Sequence, residues 1–135
     1  PRAESPLSPE IRGNIKFDNV SFAYAISAKE RFIGVPAAII DKYGVVSAET
    51  AAAMAEGVRK TAGSDIGISV TGIAGPTGAE PGKPVGTVYI GLSVAGNTQA
   101  RLAFTDPMLA KDENAREYIR KNTVLTALQW VAENI

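Results

Sequence analysis

The sequence has no cysteine and no histidine among its 135 residues. Without thiols there is no disulfide framework, no thiolate nucleophile and no thiolate-bound zinc, a composition compatible with a cytoplasmic protein. Without imidazole, Ser-His-Asp and Cys-His arrangements are excluded, as is any His-ligated metal. A general base would have to be Lys, Tyr, Asp, Glu or a bound water. Excess charge is also lacking: 14 Lys+Arg balance 14 Asp+Glu, which argues against a nucleic-acid partner held by phosphate neutralisation. No apolar run approaches the roughly 20 residues of a membrane-spanning helix. The leading PRAESPLSPE has no apolar core of a signal peptide. The expectation is a soluble, cytoplasmic protein of one domain, with no membrane or nucleic-acid partner.

Pro1, Pro6 and Pro9 mark an irregular arm. Alternation at Ile15 and Phe17, then at Val20, Phe22 and Tyr24, predicts a strand with a bulge or turn at Asp18-Asn19. Ser27 to Phe32 is polar and helical in pattern. Pro36 opens a short helix ending near Tyr43, with Gly44 as a left-handed stop. The clearest helix runs from about Ala48 to Ala62, capped by Ser47 and stopped by Gly63. Its stripe of Ala51, Met54, Ala55, Val58 and Ala62 suits close packing on a sheet. Strands are expected at Ile66–Val70, covered on both faces, at Val85–Val94, and at Gln99–Phe104 after a hairpin turn at Ala95 to Thr98. A last helix spans about Asp112–Asn134, with Tyr118, Val124, Leu125, Leu128, Val131, Ala132 and Ile135 on one apolar arc that also holds Lys121. This order implies an α/β fold, a single-domain three-layer sandwich with a mixed sheet.

Between Val70 and Thr87 lies TGIAGPTGAEPGKPVGT, rich in glycine and proline. A loop of this kind after a buried strand is where open α/β folds bind ligands. Its glycines let backbone N–H groups approach an anion, and Thr71 and Thr77 add hydroxyls. Composition alone equally admits a turn-rich connection without a ligand. Gly78 to Pro84 approaches a phosphate-binding P-loop, but the spacing is one short and Pro84 replaces the Ser/Thr that would hold magnesium. Gly13–Tyr24, GNIKFDNVSFAY, resembles the first strand of ABC-transporter ATPase domains, in which a terminal aromatic stacks on adenine; no Walker A motif follows it.

Three further segments, YGVVSAETAAAMAEGVR (Tyr43–Arg59), VTGIAGPTG (Val70–Gly78) and KPVGTVYIGL (Lys83–Leu92), closely resemble the C-terminal domain of the CinA competence/damage-inducible family, which includes nicotinamide-nucleotide amidohydrolases. AYAISAKERFIGVP (Ala23–Pro36) is similar to that family's Tyr-Ser-Asn-x-x-Lys segment, so the resemblance covers about four-fifths of the chain, residues 23–135, with residues 1–22 as an atypical N-terminal segment.

The resemblance implies hydrolysis of the carboxamide of nicotinamide mononucleotide to nicotinic acid mononucleotide and ammonia, with that small-molecule nucleotide as partner and with no cofactor or metal. It places Lys29, Tyr24 and Thr71 as catalytic residues. Gly72, Ile73, Ala74 and Gly75 would bind substrate, together with Arg116 and Arg120 at the start of the last helix. In physical terms a Lys desolvated beside Tyr could serve as base, and the guanidinium pair could clamp a phosphate. The family's Ala-Glu-Ser-Cys-Thr-Gly-Gly segment, source of its proposed serine nucleophile, has no counterpart beyond Ala3-Glu4-Ser5, after which Pro6-Leu7-Ser8-Pro9 follows. A divergent paralogue and a recombined chain both account for this. In either case hydrolysis is expected to be impaired, or lost with the fold and nucleotide binding retained. The missing leading helix leaves a sheet face uncovered, which predicts a homo-oligomer.

Overall fold

A computed structural model of the chain describes residues 34–104 and 112–135. The arm and the strand expected before Tyr24 lie outside them. Helix α1 (Ala37–Tyr43) begins after Pro36 and ends at Gly44, whose N–H bonds the Ile40 carbonyl. Gly44 has φ 81 but ψ 168, outside the left-handed helical conformation, so it ends α1 without being a left-handed stop. Helix α2 (Ala48–Ala62) follows the sequence prediction at both ends. The Ser47 hydroxyl accepts from the Thr50 N–H at 3.1 Å, and Gly63 closes the last turn in the left-handed region.

Three strands follow, β1 (Ile66–Gly72), β2 (Val88–Val94) and β3 (Asn97–Phe104), in the order β1-β2-β3 with both pairings antiparallel. A parallel pairing, which a mixed sheet requires, would need a strand outside the described residues. Residues 85–87, read as strand from their apolar pattern, instead form the end of a turn in which the Thr87 N–H bonds the Pro84 carbonyl at 3.0 Å. The hairpin loop is tighter than expected: Val94 pairs with Asn97 across Ala95 and Gly96, both at positive φ (48 and 84). That is the two-residue loop whose twist matches the strands, here with Ala where Asn is more usual.

The two faces of the sheet meet different partners. Gly67, Ser69, Gly91 and Ser93 look toward α2, where Ala51 and Ala55 are fully buried. The Ser69 hydroxyl donates to the Ala51 carbonyl, and Arg59 Nε donates to Ser93 Oγ at 2.9 Å. Small side chains on both sides thus bring helix backbone onto sheet backbone, as the alanine stripe implied. On the other face Val88, Ile90 and Leu92 join Ile119, Ala127 and Trp130 of α3 (Ala115–Ala132) in the main apolar core. Helix, sheet and helix make the three layers of a single α/β domain.

Two expectations need correction. β1 is an outer strand of the described sheet and is not covered on both faces: Ile68 and Val70, on the face that α3 meets, are 38% and 36% exposed. Helix α3 also presents the opposite side to the one its apolar arc suggested. Ala115, Ile119, Thr123, Ala127 and Trp130 are buried, whereas Tyr118, Val124, Leu125, Leu128 and Ile135 face outward. The buried set combines alanines that permit close approach with one Trp, over whose ring Arg101 stacks at 4.1 Å. Its buried Thr123 hydroxyl is satisfied by the Ile119 carbonyl at 2.6 Å.

Candidate functional site

The carboxyl end of β1 runs into the glycine-proline loop, and each predicted loop residue has a definite place. Thr71 is buried, and its Oγ1 donates to the Val45 carbonyl at 2.7 Å. At Gly72 a Cβ would come within 2.8 Å of the Thr87 carbonyl oxygen and 2.9 Å of Val88 Cγ2, so only glycine lets the returning chain pack on the backbone here. Ile73 belongs to the core. Its N–H bonds the Thr87 carbonyl at 2.9 Å, and its carbonyl accepts from Gly86 at 2.7 Å. Gly75 precedes Pro76 through a cis peptide bond, and its carbonyl accepts from Arg116 Nη1 at 2.8 Å.

Beside this loop lies a cavity of about 420 Å³. Val45, Met54, Val70, Thr71, Gly72, Ala74 and Val88 line it on one side, and Ile119, Arg120, Thr123 and Val124 of α3 on the other. The structure therefore brings together Thr71, Gly72, Ala74 and Arg120 from distant parts of the chain. It does not bring Arg116 into the lining: that guanidinium fastens the loop to the first turn of α3, so the two arginines are not a symmetrical clamp. Ile73 contributes packing at the core. Tyr24 and Lys29 lie outside the described residues.

Apart from Arg120, Thr71 and Thr123 the lining residues carry apolar side chains or none, and both threonine hydroxyls donate to backbone carbonyls, Thr71 to Val45 and Thr123 to Ile119. Such a hollow sets apolar walls beside one cationic side chain. Among the described residues no cluster of acidic side chains has the geometry to hold a metal ion. Sequence reading missed Val45, Val88, Ile119 and Thr123. The available signal was the spacing of Arg120, Thr123 and Val124, which share one helix flank with Ile119. The P-loop-like stretch does not present its lysine to this cavity lining. Glu80 and Lys83 pair across Pro81-Gly82, and Lys83 Nζ donates to the Tyr43 carbonyl at 3.3 Å, at the carboxyl end of α1.

The chain matches the family model described as the CinA C-terminal domain over residues 13–135. It is 43% identical over 122 residues to a CinA-like protein of Citrifermentans bemidjiense, covering 90% of this chain and 26% of that protein. With a CinA-like protein of Kosmotoga olearia the identity is 47% over 109 residues, 81% of this chain and 25% of that protein. The chain thus spans about a quarter of the length of the curated relatives it matches. Among solved structures it resembles the competence/damage inducible protein CihA from Agrobacterium tumefaciens, with a TM-score of 0.70 and 33% identity over 81% of this chain and 63% of that one. It also resembles a competence-damaged protein (CinA) superfamily protein from Escherichia coli, with a TM-score of 0.59 and 28% identity over 76% of this chain and 58% of that one.

Proposed function

The chain belongs to the CinA C-terminal domain family, and from that premise we propose that the cavity takes nicotinamide mononucleotide and that the domain hydrolyses its carboxamide only weakly. The observation that carries the reading is the meeting of Thr71, Gly72, Ala74 and Arg120 around an apolar hollow. The ring lies against the apolar walls, and the phosphate is held by Arg120, whose planar N–H donors match its oxygens. Arg116 sets the height of the loop by holding the Gly75 carbonyl.

Hydrolysis adds water to the carboxamide carbon, breaks the C–N bond and releases ammonia, leaving a carboxylate. A base must take the water's proton and an acid must protonate the leaving nitrogen. The family resemblance places Lys29 and Tyr24 at the site, with the lysine, desolvated beside the tyrosine, as the base, and Pro6-Leu7-Ser8-Pro9 stands after Ala3-Glu4-Ser5 where the resemblance would put the serine-nucleophile segment. A hydrolase without its nucleophile turns over orders of magnitude more slowly, which is the basis for proposing weak hydrolysis.

A second reading, a nucleotide-binding domain without turnover, is favoured by one observation. The two hydroxyl protons of the lining are already donated to the Val45 and Ile119 carbonyls, so neither threonine is set up as a nucleophile. Ammonia release and calorimetric titration with nicotinamide mononucleotide separate the two. Binding that Arg120→Ala weakens about 10-fold or more, the scale of a lost charge-assisted bond, supports the shared site. Ammonia release abolished by Lys29→Ala supports the hydrolase. Binding without ammonia supports the silent domain, and no heat at millimolar nucleotide removes both.

A further inference from the structure

The cavity is bordered by three successive residues of β1, Val70, Thr71 and Gly72. Successive strand side chains point to opposite faces, so a hollow that meets all three lies along the edge of the strand and not over one face. Its other walls agree. Met54 comes from the helix layer on one face of the sheet, Ile119 and Val124 from the layer on the other. Gly72 and its ladder partner Val88 both line it, which sets it at the carboxyl end of that edge. The hydrogen bonds decide which main-chain groups face the hollow. The Ile73 N–H bonds the Thr87 carbonyl at 2.9 Å, and the Asp65 carbonyl accepts from the Ala95 N–H at 3.5 Å. In the register Ile66↔Val94 to Gly72↔Val88, these contacts make the odd-numbered residues of β1 the ones bonded to β2. Val70 and Gly72 therefore turn both N–H and C=O to the outer edge, where neither group has a hydrogen-bond partner among the described residues.

We infer that this edge reads a primary carboxamide, with the main-chain N–H and C=O of Gly72 paired to the C=O and N–H of the ligand's amide. The inference rests on the reading of the cavity as a nucleotide site and names the contact that orients the ligand in it. A donor and an acceptor side by side on one extended residue match an amide edge, which offers one of each. Gly72 suits this better than Val70, since it has no side chain to stand over its two groups. A carboxylate offers two acceptors and no donor, so one of its oxygens would face the Gly72 C=O with like partial charge. The edge thus prefers the amide to the acid that hydrolysis leaves, and the product is released. Arg120 remains free to hold the phosphate. An extended peptide carries the same groups, but the lining reaches only from Val70 to Gly72, about 7 Å of strand, and does not include Ile68. That length takes one amide group and not a row of them.

NMR of the isotopically labelled full chain tests this at neutral pH, with nicotinamide, nicotinate and N,N-dimethylnicotinamide as probes. In the free chain the Gly72 N–H should exchange with solvent much faster than the Thr71 N–H, which bonds to β2. Nicotinamide should move both the amide nitrogen and the carbonyl carbon resonances of Gly72. Nicotinate and the dimethyl amide, which have no N–H to donate, should bind at least about 5-fold more weakly, the scale of one lost hydrogen bond. Slow exchange at Gly72 in the free chain overturns the inference, because the edge is then paired with another segment. Equal affinity for the three probes overturns it too, as does nicotinamide that leaves Gly72 unmoved. The nucleotide reading fails separately. Nicotinamide mononucleotide that binds no more tightly than nicotinamide, while nicotinamide moves Gly72, removes the nucleotide and supports the carboxamide site. Mononucleotide whose binding Arg120→Ala weakens, but which leaves Gly72 unmoved, supports the nucleotide reading and overturns this inference alone.

Discussion

Gly91 sits where β2 passes beneath α2, and a Cβ there would overlap the Ala51 carbonyl and stand 2.6 Å from Ser69 Oγ. The obstacle is helix backbone, which cannot swing aside as a side-chain tip can. Gly91→Ala should therefore push α2 off the sheet and lower stability by about 1–3 kcal/mol, measured by urea unfolding. The small polar face of the sheet and the alanines of α2 form one matched surface, so enlarging either side is costly. Charge at the residue scale is a smaller matter. Lys60 donates to Glu56 at 2.6 Å and, with its positive charge, holds that carboxyl below its ordinary value. The group is solvent-exposed, so its effect on folding is small. The sign is clear: any stabilisation is present above the unfolded carboxylate range and fades as pH falls through the lowered value. In Lys60→Ala the Glu56 titration followed by NMR should move up toward an ordinary carboxylate.

At the scale of elements, two apolar arcs on α3 compete for the core. The outer arc is the larger in side-chain volume, and a reading by hydrophobicity alone selects it. The inner arc wins because Ala115 and Ala127 let the helix come close, Trp130 joins the core cluster and carries Arg101 of β3 over its ring, and the Thr123 hydroxyl is satisfied by the Ile119 carbonyl. This assignment is testable by contrast. Ile119→Ala should cost about 2–5 kcal/mol, as for a fully buried aliphatic side chain, whereas Leu125→Ala at concentrations below any association should change unfolding by less than about 0.5 kcal/mol. Helix α2 is legible in the sequence, since Ser47, Gly63 and the alanine spacing all act within one segment. Strand boundaries were less legible where turn chemistry intervened: the three residues before Val88 look like strand by composition, and the Pro84 turn takes them out of the ladder.

At the scale of the molecule, the cavity exists only because β1, its loop, the start of β2, α2 with the residue Val45 before it, and α3 converge. Arg116 links two of those parts through the Gly75 carbonyl without entering the lining. Replacing it by alanine should leave the unfolding midpoint nearly unchanged, because the side chain is exposed, yet weaken nucleotide binding several-fold by freeing the loop; calorimetry alongside thermal melts would read both. An equal loss of stability and binding would instead make Arg116 a structural tie alone.

Local pattern determined a good deal by itself. Caps, turn residues and small-residue stripes act over a few positions, so α2, the hairpin and the glycine-bounded loop were written in the order of residues, and so was the family likeness of that loop. The sequence even held the pieces of the cavity, in Thr71, Gly72, Ala74 and Arg120. What it could not state was which arc of α3 faces inward, that Arg116 and Arg120 have different tasks, or that both threonine hydroxyls of the lining are already engaged. Those depend on how closely one backbone can approach another and on which carbonyl lies within reach of a given donor, and such distances exist only once the layers have packed.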